Sequence, residues 1–258
     1  MSPGASDAET GALLRYVLRL ADLSLILGQR LGEWVGHAPA LEEDLCLANV
    51  ALDLIGQARL LLAYAGEVEG LGRDEDELAM LRDHADYLNP LLAEQPNGDF
   101  AQTIVRQVLL DAFQTELYCA LTESSDERLS AIAGKALKET RYHLRYSSGW
   151  LVRLGDGTPL RHGRTQAALE RLWPLAGELF AEDEVDLAMA SRGIAPRLAP
   201  IEAAWSARLD ELLHEATLSR PESRPHPWHG KRGQHTEHLG YILAEMQYLQ
   251  RAYPGARW

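Results

Sequence analysis

Apolar residues recur along this chain at spacings of three and four, and no stretch alternates with period two long enough to make a strand. Leu13, Val17, Leu20, Leu27 and Leu31 mark one face of a first helix, which Thr10 or Asp7 can cap and which runs to about Gly36. His37-Ala38-Pro39 breaks it. A second helix begins near Ala40, with Glu42, Glu43 and Asp44 in its first turn, where the helix dipole favours acids, and it stops in the glycine-rich stretch 66–72. A shorter helix is expected over 74–88, then a loop, NPLLAEQPNGD, punctuated by Pro90, Pro96 and Gly98. The third long helix covers about 100–122. Ser124, Ser125 and Asp126 turn the chain, and Ser125 with Arg128 opens a fourth helix to about Leu154. The remainder predicts helices over about 165–180, 183–191, 196–218 and 235–253, with an extended, exposed loop in SRPESRPHPWHGKRGQ.

Four long helices with short joins, and one long connection between the second and third, predict an all-α fold. The expected architecture is a ferritin-like four-helix bundle over about 8–155 with additional C-terminal helices over about 160–258. Residues 1–258 are taken as a single helical domain, a length that one large domain accommodates. Composition adds exclusions. Hydrophobic residues make up 46% and charged residues 24%, an ordinary globular balance. A formal charge of -13 disfavours nucleic-acid binding and anionic membranes, though not a basic partner. Cys46 and Cys119 lie in apolar helical patterns and read as buried free thiols in a reducing compartment. The N-terminal stretch lacks the pattern of a secretory signal, and no stretch approaches the ~20 apolar residues of a membrane span. A cytoplasmic location is expected.

Helical bundles of this kind can hold a carboxylate-bridged pair of irons through one Glu on each of two helices and a Glu-x-x-His pair on each of the other two, because residues three apart share a face. On the fourth helix His143 has Thr140 three residues before it, and Thr is no useful iron ligand. Glu139, four residues before, lies on nearly the same face, so Glu139 with His143 stays open beside a structural reading in which Glu139 pairs with a neighbouring Arg and His143 is hydrogen-bonded in the core. On the second helix Asn49, Asp53 and Gln57 recur every four residues and suggest an interior polar network, since buried polar groups must be bonded. Asp53 has Gly56 at i+3, and the alternative pair is Leu54 with Gln57, so either register offers at most one good ligand. Asp111 sits in VLLDAFQ, where a carboxylate is costly unless paired, and His143 is its expected partner. On the first helix Ser24 stands in LADLSLILGQ, with Asp22 and Gln29 as the nearest polar alternatives. His235-Thr236-Glu237-His238 lacks the spacing of a zinc hydrolase, and Thr236 reads better as a helix cap. Phosphate-binding, dinucleotide and serine-hydrolase motifs are absent.

Four segments, GQRLGEWVGHAPALEEDLCLANVALDLIGQAR (28–59), EQPNGDFAQTI (94–104), KALKETRYHLRYSSGWLVRLGDGT (135–158) and HTEHLGYILAEMQYLQRAYPG (235–255), closely resemble the C subunits of bacterial phenylacetyl-CoA epoxidases, also called PaaC. The resemblance extends over nearly the whole chain. It implies a ferritin-like fold and a tight hetero-oligomer with an A subunit that carries the di-iron centre and the CoA-thioester site. It further implies ring epoxidation with O2 during phenylacetate degradation, electrons coming from a reductase subunit of the same complex. Carried over position by position, the A-subunit ligand pattern falls on Ser24, on Leu54 and Gln57, on Asp111, and on Thr140 and His143. Those six would be vestiges of a metal site. The implied role is a non-catalytic subunit without its own cofactor. Homodimerisation stays open.

Two rival readings remain. One is a self-sufficient di-iron enzyme using Asp53, Asp111, Glu139 and His143. The other is an acyl-CoA-binding module whose phosphates would need clustered cations, for which Arg220, Arg224, Lys231 and Arg232 form the densest basic run. Trp150, Trp173, Trp205, Tyr241 and Tyr248 are candidate interface aromatics, each weighed against a place in the core.

Overall fold

The structure, a computed structural model, describes residues 3–222 and 229–256, with side chains from residue 9 onward. Eleven α-helices follow in order among these residues: α1 (Pro3–Gly32), α2 (Leu41–Glu69), α3 (Glu75–Met80), α4 (Leu91–Glu94), α5 (Phe100–Leu121), α6 (Glu127–Gly155), α7 (Pro159–Ala176), α8 (Glu184–Ser191), α9 (Leu198–Glu215), α10 (Glu237–Met246) and α11 (Tyr248–Ala252). No strand occurs among the described residues. The fold class is the expected all-α one. The contacts group the chain into two compact units, one of residues 1–96 with 228–258 and the other of residues 97–227.

In the first unit α1 and α2 form a long hairpin. α1 ends at Gly32, four residues short of the expected stop, because Trp34 N and Val35 N turn back to Leu31 O and Gly32 O and a left-handed Gly36 closes the turn. α2 ends as its glycines predict: Gly70 adopts φ 70 and returns its N–H to Gly66 O. The helix expected over 74–88 is divided. Asp74 caps α3 in a reciprocal box with Glu77, and the chain then leaves the helix so that Arg82 can reach the fully buried Asp22 on α1. Asp22 also accepts from Leu88 N at 2.8 Å, so the one α1 carboxylate organises the whole connection.

The stretch NPLLAEQPNGD is not a plain loop. α4 is buried, and its Glu94 is the anchor for the C-terminal segment. Glu94 Oε2 accepts from Asn89 Nδ2 at 2.9 Å and faces His235 Nδ1 at 2.8 Å, while Oε1 accepts from Thr236 N and Thr236 Oγ1, each at 2.7 Å. Arg30 of α1 donates twice to Glu94 O. Beyond that anchor, Thr236 caps α10 as expected. Gln247 follows, donating to Arg82 O and to the buried Tyr87 hydroxyl, which burial pushes up to about 12. The loop expected to be extended is tightened at Gly230–Arg232 into a 3-10 turn, where Gly230 is required: a Cβ there would stand 2.0 Å from Asn89 O. Part of that loop, Arg224 included, lies outside the described residues.

In the second unit α5 is buried almost all round and packs on α6, α7 and α9. Asp126, not Ser125, caps α6, because Ser125 uses its N–H and hydroxyl on Gly193 O and Arg192 O. α7 begins six residues earlier than expected, with Thr158 as cap and Pro159 in its first turn, a start signal present in the sequence. Trp173, Trp205 and Phe180 form an aromatic core, and Trp205 Nε1 donates to Leu109 O at 2.9 Å, fixing α9 on α5. Trp173 and Trp205 are therefore core, Trp150 is half-buried, and Tyr241 and Tyr248 are exposed.

Two expectations from composition change. Cys46 is half-buried and Cys119 exposed, both as free thiols, because each sits at the edge of its helix's apolar face. α2 carries an 18-residue window of mean hydropathy 1.5, long and apolar enough to cross a membrane, of which 44% is buried in this fold. Asp53 and Arg59 interrupt that run in the sequence but do not offset its leucines.

Candidate functional site

All six positions of the expected ligand pattern are buried, none more than 2% exposed. Burial follows from register: each lies on the inward face of a long amphipathic or fully buried helix. In the first unit the set is Ser24 on α1 with Leu54 and Gln57 on α2. Ser24 Oγ donates to Gln57 Oε1 at 3.4 Å, a hydroxyl–amide pair where metal binding would want carboxylates and an imidazole. Leu54 adds only an alkyl group. Asp22, the polar alternative to Ser24, is committed to Arg82.

In the second unit the set is Asp111 on α5 with Thr140 and His143 on α6. Asp111 Oδ2 accepts from Ser147 Oγ at 2.7 Å and Oδ1 accepts from Gln107 Nε2 at 3.2 Å, so both oxygens are occupied by neutral donors. Burial pushes the Asp111 carboxyl up to about 6, against the opposing effects of nearby His143 and the Ser147 hydrogen bond. The influence of His143 on Asp111 is electrostatic, and Ser147, one turn further along α6, adds a hydrogen bond. Thr140 turns its hydroxyl back to Leu137 O at 3.3 Å, the i-3 bond typical of a helical threonine without another partner.

Sequence reasoning misses Ser147, Gln107 and Gln114. Gln107, Asp111 and Gln114 stand at i, i+4 and i+7 on α5, and Thr140, His143 and Ser147 at i, i+3 and i+7 on α6, so a polar stripe on each helix was readable from spacing alone. Gln114 is fully buried, and its side-chain oxygen and nitrogen have no hydrogen-bond partner among the described residues.

The four-residue spacing on α2 does not place all three polar residues in the interior. Asn49 is exposed, Asp53 half-buried and only Gln57 buried. Steps of four advance about 40° round a helix, so eight residues carry the side chain from solvent into the core. Glu139 lies half-buried, with Lys135, not an arginine, 3.9 Å away. Among the described residues no group of three or more His, Cys, Asp or Glu is gathered closely enough to hold a metal ion. His235 of the C-terminal His-x-x-His is taken up by Glu94 and by Tyr87 O. Of the basic run, Arg220 belongs to the second unit and is held by Asp210 and Ser206 over the Trp173 ring, while Lys231 and Arg232 belong to the first.

Comparison with known proteins agrees with this architecture. Residues 3–258 match the family model described as phenylacetic acid catabolic protein. A relative from Escherichia coli (strain K12), the C subunit of 1,2-phenylacetyl-CoA epoxidase, is 53% identical over 246 residues, covering 95% of this chain and 99% of the relative. Identity at that level over nearly the full length of both chains leaves the all-α, ferritin-like class standing, and the chain belongs to the phenylacetic acid catabolic protein family.

Proposed function

We propose that this chain is the supporting, non-catalytic subunit of a multicomponent phenylacetyl-CoA epoxidase in aerobic phenylacetate degradation. Its Escherichia coli relative is named as the C subunit of such an epoxidase. In this reading the di-iron centre and the CoA-thioester site belong to the A subunit, which this chain binds in a tight cytoplasmic hetero-oligomer. The reductase is among the wider partners, and the chain holds no cofactor of its own.

The observation that carries the proposal is the donor set. Ser24, Leu54, Gln57 and Thr140 supply a hydroxyl, an alkyl group, an amide and a second hydroxyl, none of which competes with water for iron. Asp111 is engaged by Ser147 and Gln107, and one carboxylate with one imidazole cannot bridge two metals. The residues present do not fit a di-iron group. The substitutions also remove the cost of burying uncompensated carboxylates, several kcal/mol per ion. Ser24, Leu54, Gln57, Asp111, Thr140 and His143 are thus vestiges whose present work is packing.

Co-expression of the A subunit with and without this chain tests the proposal. Soluble, active A subunit is expected only in the presence of this chain. Equal yield and turnover in its absence would refute a supporting role.

A further inference from the structure

One side of α2 carries an apolar seam that the rest of the first unit leaves largely uncovered. Leu41, Leu45, Leu52 and Ile55 are 69%, 56%, 66% and 38% exposed. They stand at i, i+4, i+11 and i+14, and the half-buried Ala48 fills i+7. Alternating steps of four and three give a repeat of 3.5 residues, the spacing that keeps a seam against a second helix. The buried positions Leu47, Val50, Leu54, Ala58 and Leu61 lie on the other side of the same helix. α2 therefore has two packing faces, one used and one not. The exposed seam amounts to about 400 Å² of apolar surface, as large as the largest patch a monomer ordinarily leaves in water and about half of one partner's share of a standard interface.

Charge narrows the occupant. Asp44 borders the seam on one side, and Glu42 and Asp53 on the other. α2 has six carboxylates and a single cation, Arg59, which Glu75 holds at 3.1 Å. Two copies of this face would bring the six bordering carboxylates of Glu42, Asp44 and Asp53 together, and an anionic lipid surface would be repelled. A helix with basic flanks would satisfy both the seam and its borders.

We infer that the Leu41–Leu45–Leu52–Ile55 seam docks an amphipathic α-helix of another subunit, one presenting a Leu- or Ile-rich 3.5-residue seam bordered by Lys and Arg. The inference rests on the reading of this chain as part of a hetero-oligomer. Its occupant is defined by chemistry: knobs for the apolar holes, cations for Glu42, Asp44 and Asp53.

The test is assembly of the full-length chain with its co-expressed epoxidase subunits, followed by size exclusion and affinity measurement. Leu52→Glu places a charge in the middle of the seam and is expected to weaken assembly by about thirty-fold or more. Leu52→Gln removes the apolar contact without adding charge and serves if the first variant fails to fold. Reversing Glu42 and Asp53 to Lys is expected to slow association and flatten its salt dependence. Assembly of the wild type with undiminished assembly of the Leu52 variants would overturn the seam while leaving the supporting role intact. Failure of the wild type to assemble would overturn both. A wild-type homodimer split by Leu52→Glu, or vesicle binding abolished by it, would overturn the choice of occupant.

Discussion

Replacing Asp111 by Asn separates a structural residue from a vestigial ligand still in use. The side chain is buried, and its carboxyl titrates near 6 instead of 3.8 because burial disfavours the charge. The folded state therefore holds this proton more tightly than the unfolded chain. The resulting stabilisation is fully present below pH 3.8 and is lost as pH rises through about 6. Once both states are ionised the loss amounts to about 3 kcal/mol, from about 1.4 kcal/mol for each tenfold change in proton affinity. Asn keeps the shape and cannot ionise. Its oxygen can accept from Gln107, and its N–H₂ can donate to Ser147 Oγ, which already lies 3.3 Å from Leu144 O and can turn its proton there. Asp111→Asn should thus match the wild type at pH 4 and exceed it by up to about 3 kcal/mol at pH 7.5. Urea unfolding of the full chain at the two pH values measures the difference. A variant less stable than the wild type at pH 7.5, or a difference that does not change with pH, would refute the reasoning.

Three further outcomes follow from buried partners in the first and second units. Glu94→Gln should cost about 3–5 kcal/mol, because it breaks the buried set that His235, Thr236 and Asn89 share, and hydrogen exchange should show α10 and α11 opening before α1 and α2. Arg82→Leu should lower the thermal midpoint by leaving Asp22 buried without its guanidinium, and adding Asp22→Leu should restore part of the loss, measured as a double-mutant cycle. Gly155→Ala should destabilise by about 1–3 kcal/mol, since its Cβ would stand 2.3 Å from Ala216 O, and calorimetry of the purified variant reads the shift.

The long helices were legible because their apolar positions repeat at helical spacing and their caps are local. Asp126, Asp183 and Thr236 each bond a backbone N–H within three residues, so sequence alone places those starts closely. What sequence could not reveal depends on partners far along the chain. The prolines of NPLLAEQPNGD signal a loop, yet Glu94 is buried there by His235 and Thr236, more than 140 positions away. Asp22 likewise looks like a spare polar residue near Ser24 until Arg82, 60 positions later, claims it. The six positions carried over from the resemblance all prove to be buried. The bonding around Asp111 was not legible: Ser147, one further turn along α6, brings a hydroxyl within reach, in addition to the electrostatic influence of the expected partner His143. Asn49 failed as an interior residue for a geometric reason, the slow rotation of a four-residue repeat round the helix.

Everything proposed for this protein's role depends on a shortage of metal donors: among the described residues no three His, Cys, Asp or Glu are gathered closely enough to hold a metal ion. Iron content of the purified full-length chain, after anaerobic loading with ferrous iron and exposure to O2, tests it without intermediaries. Iron well below one atom per chain is expected, with no oxo-bridge absorption band. Two irons per chain with that band would contradict the supporting role.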